Sequence, residues 1–521
     1  MADSYYLKDL CNRQQFSSYP ANNVKAPASD TIYGTFTKTM PHDASGRITP
    51  AQLADLQKAS TVGSIACWNA VAKGGSARFH DPFAAYLPTF SGADAMALIS
   101  YDTPDLSRKP VVQGSTYQAD LMNEVYAMSL CRDIPLSFFY EKASQPQSVL
   151  DPLLTDMAAF SNPAYFPTNG VSHVMTRKEM FRSRSPGDLQ GPYLSQFLLL
   201  DIPTYETGIK QQFKFPPLYS GAASDYMKNM STYLTVANGA GTEVKTPFES
   251  TPRYPVTARD LAQIIHNDFC YEPYFHAAKI ITGIPGAFAL PQSPYTSNAR
   301  SQGFVDLAPA DIMTVLAEGC HIALQGAWKH KWWNMKIRPE ELAKEVELYR
   351  LNHQNPGGLH TSLINGPIVS KVVAAHGNAL LWQCYVEGCP PHPSWPAGHA
   401  TVAGCCGTLL KAYINPNTRM PAMYVPHETG RYLVPINVSD YGESQNPKVL
   451  DEVDKLISNA TFGRDWAGVH YRSDCEFGVY LGEQLALQYL KDKVQSYKQD
   501  NFAFSFNVRL FDGSTKTISP V

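Results

Sequence analysis

The sequence predicts a mainly α-helical protein with a helix-bundle second half and a small β-hairpin at its C terminus. Three observations carry this expectation. Leu121, Val125, Met128 and Cys131 recur at three- and four-residue steps within about 117–143, which is the spacing of one helix face. Comparable helical patterning marks about 258–282, 309–330, 367–386, 399–413 and 467–491. Strict alternation appears only at 502–518, where Phe502, Phe504, Phe506, Val508 and Leu510 precede the turn pair Asp512-Gly513.

Between these elements the punctuation is uneven. Residues 1–60 are rich in Ser, Pro, Asn and Asp and read as an extended arm. The polar, Gly- and Pro-bearing stretch from Asn238 to Pro255 is the best boundary between two halves. This divides the chain into an arm with a first helical unit (1–237), a second helical unit (238–501) and a terminal hairpin (502–521). No repeat of solenoid length stands out.

Composition narrows the function classes. The 521 residues carry a net charge of −3, with 17% charged and 44% hydrophobic residues. An ordinary globular domain has about 25% charged residues, so few surface charges point to surface buried in a homo-oligomer. The near-neutral balance excludes an acidic disordered chain and argues against nucleic-acid binding. No apolar run reaches the roughly 18 residues of a membrane span. Met1 to Leu10 has no basic stretch followed by an apolar core, so a cytoplasmic location is expected unless the chain is a mature form. Ten cysteines in this length are too few for a disulfide scaffold. Cys384 with Cys389, and Cys405 beside Cys406, read as packed thiols, since no histidine pair has zinc spacing around them. The glycosylation-type triplets at Asn229, Asn437 and Asn459 mean nothing without secretion.

Three motifs carry chemistry. The first runs from Trp328 to Glu340 as WKHKWWNMKIRPE, and Pro339 discourages helix at Arg338, placing the basic cluster at a helix end. Alone, it reads equally as cations on a helix C-terminus. The second, His392-Pro-Ser-Trp-Pro-Ala397-Gly398-His399, opens a helix rich in small residues. Its backbone N–H groups and dipole make an anion site, with His399 in the first turn. Gly404 and Gly407 further on can serve close helix packing. The third is Gly463-Arg464, followed by His470 and Asp474. On a helix His470 and Asp474 share a face, so the carboxylate can hold the second imidazole nitrogen.

The set is more specific than its members. Lys331, Arg338 and Arg464 supply fixed positive charge, Gly398 supplies backbone donors, and His399 and His470 supply imidazoles. Cations without a nearby acidic pair describe a tetrahedral oxyanion site. Asp268 falls on an apolar stripe with Leu261, Ile264 and Ile265, as a buried carboxylate in need of a partner such as an active-site Arg; alternatively the helix phase drifts there, because Pro273 follows.

In this order, Lys331-x6-Arg338-Pro339, Pro-Ala-Gly-His399 and Gly-Arg464-x5-His470-x3-Asp474 resemble the signature of the vanadium-dependent haloperoxidases, shared with the type 2 phosphatidic acid phosphatases. His392, seven residues before His399, resembles the algal and cyanobacterial bromoperoxidase branch. The likeness extends to Asn123–Phe139, Gly191–Leu200 and Ala262–Ala278. The resemblance implies a fold of two four-helix bundles, a dimeric to dodecameric homo-oligomer, and vanadate as cofactor, with phosphate able to take its place. Nothing in the sequence supports a structural calcium site.

By position, the resemblance implies that His470 bonds vanadium while Lys331, Arg338, Arg464 and the Gly398 amide hold the oxygens. His399 would be the acid/base toward hydrogen peroxide, and His392 would tune the site. Asp268 would pair with Arg464, Asp474 would orient His470, and Trp328 would line the halide side. Two departures stand out. Ala397 replaces the usual Ser, and one hydrogen bond to a charged group is worth about 1.5–3 kcal/mol. The Lys331–Arg338 spacing is one residue shorter than usual in the algal branch, which makes Lys329 a competing lysine.

The implied activity is oxidation of bromide or iodide by hydrogen peroxide to hypohalous acid, which halogenates small organic nucleophiles. Two alternatives share the pocket chemistry: an acid phosphatase or phosphotransferase with His470 as nucleophile, and a non-catalytic oxyanion-binding protein.

Overall fold

The computed structural model describes residues 31–85, 111, 113–140, 148–160, 175–204, 206–296, 298–496 and 504–520. Helix dominates. The first half holds α1 (Pro50–Val62), α2 (Ile65–Ala70), α3 (Thr116–Cys131), α4 (Leu150–Ala158) and α5 (Met230–Ala237). The second holds α6 (Ala258–Ile264), α7 (Glu272–Thr282), α8 (Pro309–Asn334), α9 (Pro339–Asn352), α10 (Thr361–Ile364), α11 (Pro367–His376), α12 (Gly398–Ala412), α13 (Val449–Ala467) and α14 (Arg472–Ser496). Strands occur as three two-stranded antiparallel hairpins: β1 (Ile202–Thr204) with β2 (Thr207–Ile209), β3 (Tyr424–Pro426) with β4 (Leu433–Pro435), and β5 (Phe506–Arg509) with β6 (Thr515–Ile518). The last is the expected C-terminal hairpin, closed around Asp512-Gly513 with Phe506 opposite Ile518.

The middle of the second half is α12, buried along its length apart from His399. It packs on α14, α8 and α13. Small residues make this possible: a Cβ on Gly404 would lie 2.1 Å from the Val479 carbonyl oxygen, and one on Gly407 2.2 Å from Ile457 Cδ1. One hydrophobic cluster runs from α3 residues such as Met122 to Ile518 and so draws on both sides of the 238–255 stretch, which is itself irregular. A second cluster seats Phe36, Leu56 and Trp68 against Trp332 at the end of α8, with Trp68 and Trp332 edge to face at 5.2 Å.

Several helix expectations shift at identifiable residues. The arm (1–60) contains the start of α1, capped by Thr49 and Gln52; residues 1–30 lie outside the described ones. The helix expected over 117–143 stops at Cys131, before Asp133-Ile134-Pro135. The 258–282 helix is two helices, because Pro273 sits in the first turn of α7 and lacks the N–H that a continuous helix needs. The 367–386 helix ends at His376, where Gly377 is left-handed (φ 79°). The 467–491 helix starts late, at Arg472 in α14, because Gly468 at φ 86° ends α13 at Ala467, and it runs on to Ser496. No helix among the described residues is long and apolar enough to cross a membrane. The described cysteines are free, and Cys384, Cys389, Cys405 and Cys406 are buried thiols. Asn459 is buried as well, so its triplet is no glycan acceptor in the folded chain.

Candidate active site

Three helix ends converge on one buried cluster of side chains. Lys331 occupies the last turn of α8, which Met335 closes in a left-handed conformation (φ 44°). Arg338 is extended because Pro339 follows, and it caps α9. Arg464 occupies the last turn of α13, Gly468 breaks the chain, and His470 sits in the extended link ahead of α14. The expected helix face shared by His470 and Asp474 is therefore not helical. Asp474 lies in the first turn of α14 and reaches back: its Oδ2 meets His470 Nδ1 at 3.1 Å and accepts the Tyr471 N–H at 3.2 Å. Arg472 anchors this link through Glu124 on α3, with Nη2–Oε1 at 2.6 Å and both groups buried.

Cations crowd one side. The Arg338 side chain is fully buried; it donates to the His392 carbonyl (Nε, 2.9 Å) and the Val469 carbonyl (Nη1, 2.7 Å), and places Nη1 3.0 Å from His470 Nε2. Its Nη2 lies 3.0 Å from His392 Nδ1. Lys331 donates to the Pro393 and Ser394 carbonyls at 2.8 and 2.9 Å. Arg464 donates to the Ile265 carbonyl at 2.8 Å and the Tyr385 hydroxyl at 3.3 Å, while its buried Nε has no partner. Burial and then Arg338, Lys331 and Arg464 push His470 well below the usual imidazole range. Burial, Lys331 and Arg338 do the same to His392. With Asp474 accepting from Nδ1, the hydrogen-bond network assigns His470 a neutral ring whose unprotonated Nε2 accepts from Arg338 Nη1.

The opposite side is acidic. His399, in the first turn of α12, has Nε2 2.8 Å from Asp268 Oδ1 and 3.6 Å from Cys270 Sγ. Burial opposes charge on this ring, but Cys270 and Asp268 outweigh it and raise His399 to about 9. Asp268 lies in the turn between α6 and α7, not on a helical stripe. Its ion pair is with His399; it makes no hydrogen bond to Arg464, contrary to the expected pairing, because the interrupted helix carries it toward the start of α12.

The remaining expected residues are close by. Trp328 lies with its ring 4.7 Å from that of His392, and a Cβ on Gly398 would come 3.0 Å from Trp328. Ala397 is fully buried and caps α12 without a side-chain bond, its N–H going to the Asp474 carbonyl at 3.0 Å. Lys329 leaves the pocket to Lys331, since its Nζ sits 4.7 Å over the Trp333 ring. Sequence reasoning missed four neighbours. Ser394 donates from its hydroxyl to Asp474, and it stood inside the second motif. Cys270 stood two residues from Asp268. His80, with its ring 6.0 Å from His392, and Tyr385, beneath the Arg464 guanidinium at 5.2 Å, come from segments without a motif. No group of three or more His, Cys, Asp or Glu among the described residues is placed to hold a metal ion, so calcium gains no support.

The VCPO second helical-bundle domain matches residues 312–500. A vanadium-dependent bromoperoxidase of Ascophyllum nodosum is 27% identical over 92% of this chain and 85% of its own length. One from Corallina officinalis is 28% identical over 75% and 72%. The solved structure of the homohexameric second vanadate-dependent bromoperoxidase of A. nodosum superposes with a TM-score of 0.84 at 24% identity, covering 99% of this chain and 90% of that one, which bears on the fold. The fold is helical, and it sets Lys331, Arg338 and Arg464 beside a neutral His470 and Asp268 and Cys270 beside a protonated His399. Over much of its length the chain is thus similar to vanadium-dependent bromoperoxidases of algae, and its second half to the VCPO helical-bundle domain.

Proposed function

We propose that the protein is a vanadate-dependent haloperoxidase that uses hydrogen peroxide to oxidise bromide or iodide to hypohalous acid, which then halogenates small organic nucleophiles. The observation that carries this reading is the buried trio Lys331, Arg338 and Arg464 around a neutral His470, with Arg464 Nε lacking a partner. Buried like charges repel, and an oxyanion among them relieves that cost while supplying the missing acceptor. The donor set therefore fits vanadate, and His470 Nε2 offers it a lone pair. His470, Lys331, Arg338, Arg464 and the Gly398 amide would hold it, and all the proposed site residues fall between Asp268 and Asp474, within the 238–501 unit.

Vanadate, when bound, supplies a Lewis acid that activates peroxide. Arg338 and Arg464, with Lys331, whose ammonium burial and Arg338 push well below its usual range, would spread its charge and keep it from leaving. Asp474, tightened by Ser394, keeps the His470 proton on Nδ1 and so preserves the unprotonated Nε2. His399 stands protonated at neutral pH and can give its proton to a departing oxygen, with Asp268 orienting the ring. His392, neutral and tilted against the Trp328 ring, gives the halide side a polar edge that suits bromide over chloride. We further propose a homo-oligomer, in keeping with the hexameric A. nodosum neighbour and the low charge content.

Parallel assays test the reading. After vanadate addition, peroxide-dependent bromination is expected and phosphate-ester hydrolysis is not. Hydrolysis without bromination would favour the phosphatase alternative, and vanadate binding with neither reaction would favour a binding protein. Chlorination at neutral pH would overturn the bromide assignment.

A further inference from the structure

Of the nine described cysteines, seven are buried, and only Cys67 and Cys270 are half-buried. Their surroundings differ. Cys67 is on α2, against the N-terminal aromatic cluster. Cys270 is in the turn between α6 and α7, with Sγ 3.6 Å from His399 Nε2 and 4.0 Å from Nδ1. The same Nε2 is 2.8 Å from Asp268 Oδ1. The second oxygen of Asp268 has no partner, although the side chain is only 6% exposed. A thiol, an imidazole and a carboxylate thus form a cluster at the mouth of α12, on the side where peroxide would meet His399.

Burial raises the Cys270 thiol, but the charge and hydrogen bond of His399, together with the Arg464 charge, outweigh it and bring the thiol below its ordinary value. The thiolate is the nucleophilic form, and low-pKa, accessible thiols are the ones peroxide oxidises. We propose that Cys270 is a modification site, converted to a sulfenic acid by hydrogen peroxide with His399 as proton donor. The inference rests on the haloperoxidase reading for the supply of peroxide at this spot.

The step balances. The Cys270 thiolate attacks one peroxide oxygen, an S–O bond forms, and the O–O bond breaks. Sulfur loses two electrons and peroxide gains them. The departing hydroxide takes the His399 proton and leaves as water. Oxidation then removes the negative charge beside His399 and puts an oxygen at its ring, so excess peroxide slows turnover until a thiol reductant restores Cys270.

The test treats purified full-length enzyme with hydrogen peroxide and dimedone, without halide, and maps adducts by peptide mass spectrometry. The expected result is labelling of Cys270 about ten-fold above Cys67, falling several-fold in His399→Ala. Without dimedone, bromination should fall after peroxide treatment and recover with dithiothreitol. No adduct at Cys270, or equal labelling of Cys67 and Cys270, overturns the proposal. Because labelling needs no halide, the two readings fail separately. A protein that brominates without labelling sinks the modification site alone. One that labels at Cys270 and never brominates sinks the haloperoxidase reading and leaves the reactive thiol standing.

Discussion

His470 and His399 are both desolvated and both feel the Arg464 charge, yet their rings are driven in opposite directions. On the His470 side the neighbours are Arg338, Lys331 and Arg464, and the imidazole is held neutral. On the His399 side they are Cys270 and Asp268, and the imidazole is held protonated to about pH 9. Burial alone would neutralise both. The charge of the adjacent element decides, and it divides the labour into an anion-holding face and a proton-donating face.

Removing the ligand histidine should break this division most severely. His470→Ala should lower kcat/KM for bromination by about a thousand-fold or more at saturating vanadate, with circular dichroism confirming retained helix. The next effect is expected from its orienting carboxylate. Asp474→Ala should weaken vanadate about 10–100-fold, read from the vanadate dependence of the rate. A result near unity would mean that the link is fixed without this carboxylate, through the Arg472–Glu124 pair.

On the other face the effect lies in pH. His399 has a raised pKa, so its proton is present below about 9 and is lost above it. Asp268→Asn removes one group that raises it and should move the alkaline limb of the bromination profile from near pH 9 toward the ordinary 6.5. An unchanged limb would assign that limb to another group. The smallest change is expected from Ala397→Ser, which restores a hydroxyl at the N-cap of α12. It should tighten vanadate by at most about ten-fold and raise the melting temperature slightly through capping.

Much of the anion-holding face was legible because its determinants are local. Pro339 sets Arg338 extended, Gly398 opens α12, and the ordered motifs contain His470, Arg338, Lys331 and Arg464, which the structure brings together. Close packing at Gly404 and Gly407 was legible for the same reason. The proton-donating face was less so. Asp268 read as part of a continuous helix, and Pro273 in the first turn of α7 turns that segment into a bend whose direction no periodicity encodes. Gly468 likewise replaces an expected helical face at His470 and Asp474 with an extended link. His80 and Tyr385 enter the site through tertiary packing of distant segments, so no spacing announces them, whereas Cys270 rides in on the same bend as Asp268. Ser394 was within reach: it is the single hydroxyl in the stretch from His392 to His399.

The central claim is that the cation-lined face with neutral His470 is an oxyanion site. A crystal structure of the enzyme grown with vanadate tests it directly. The account predicts a tetrahedral or trigonal-bipyramidal oxyanion bonded to His470 Nε2 and contacted by Lys331, Arg338 and Arg464. Vanadate bound elsewhere, or His470 Nε2 still capped by Arg338 at saturating vanadate, would contradict it.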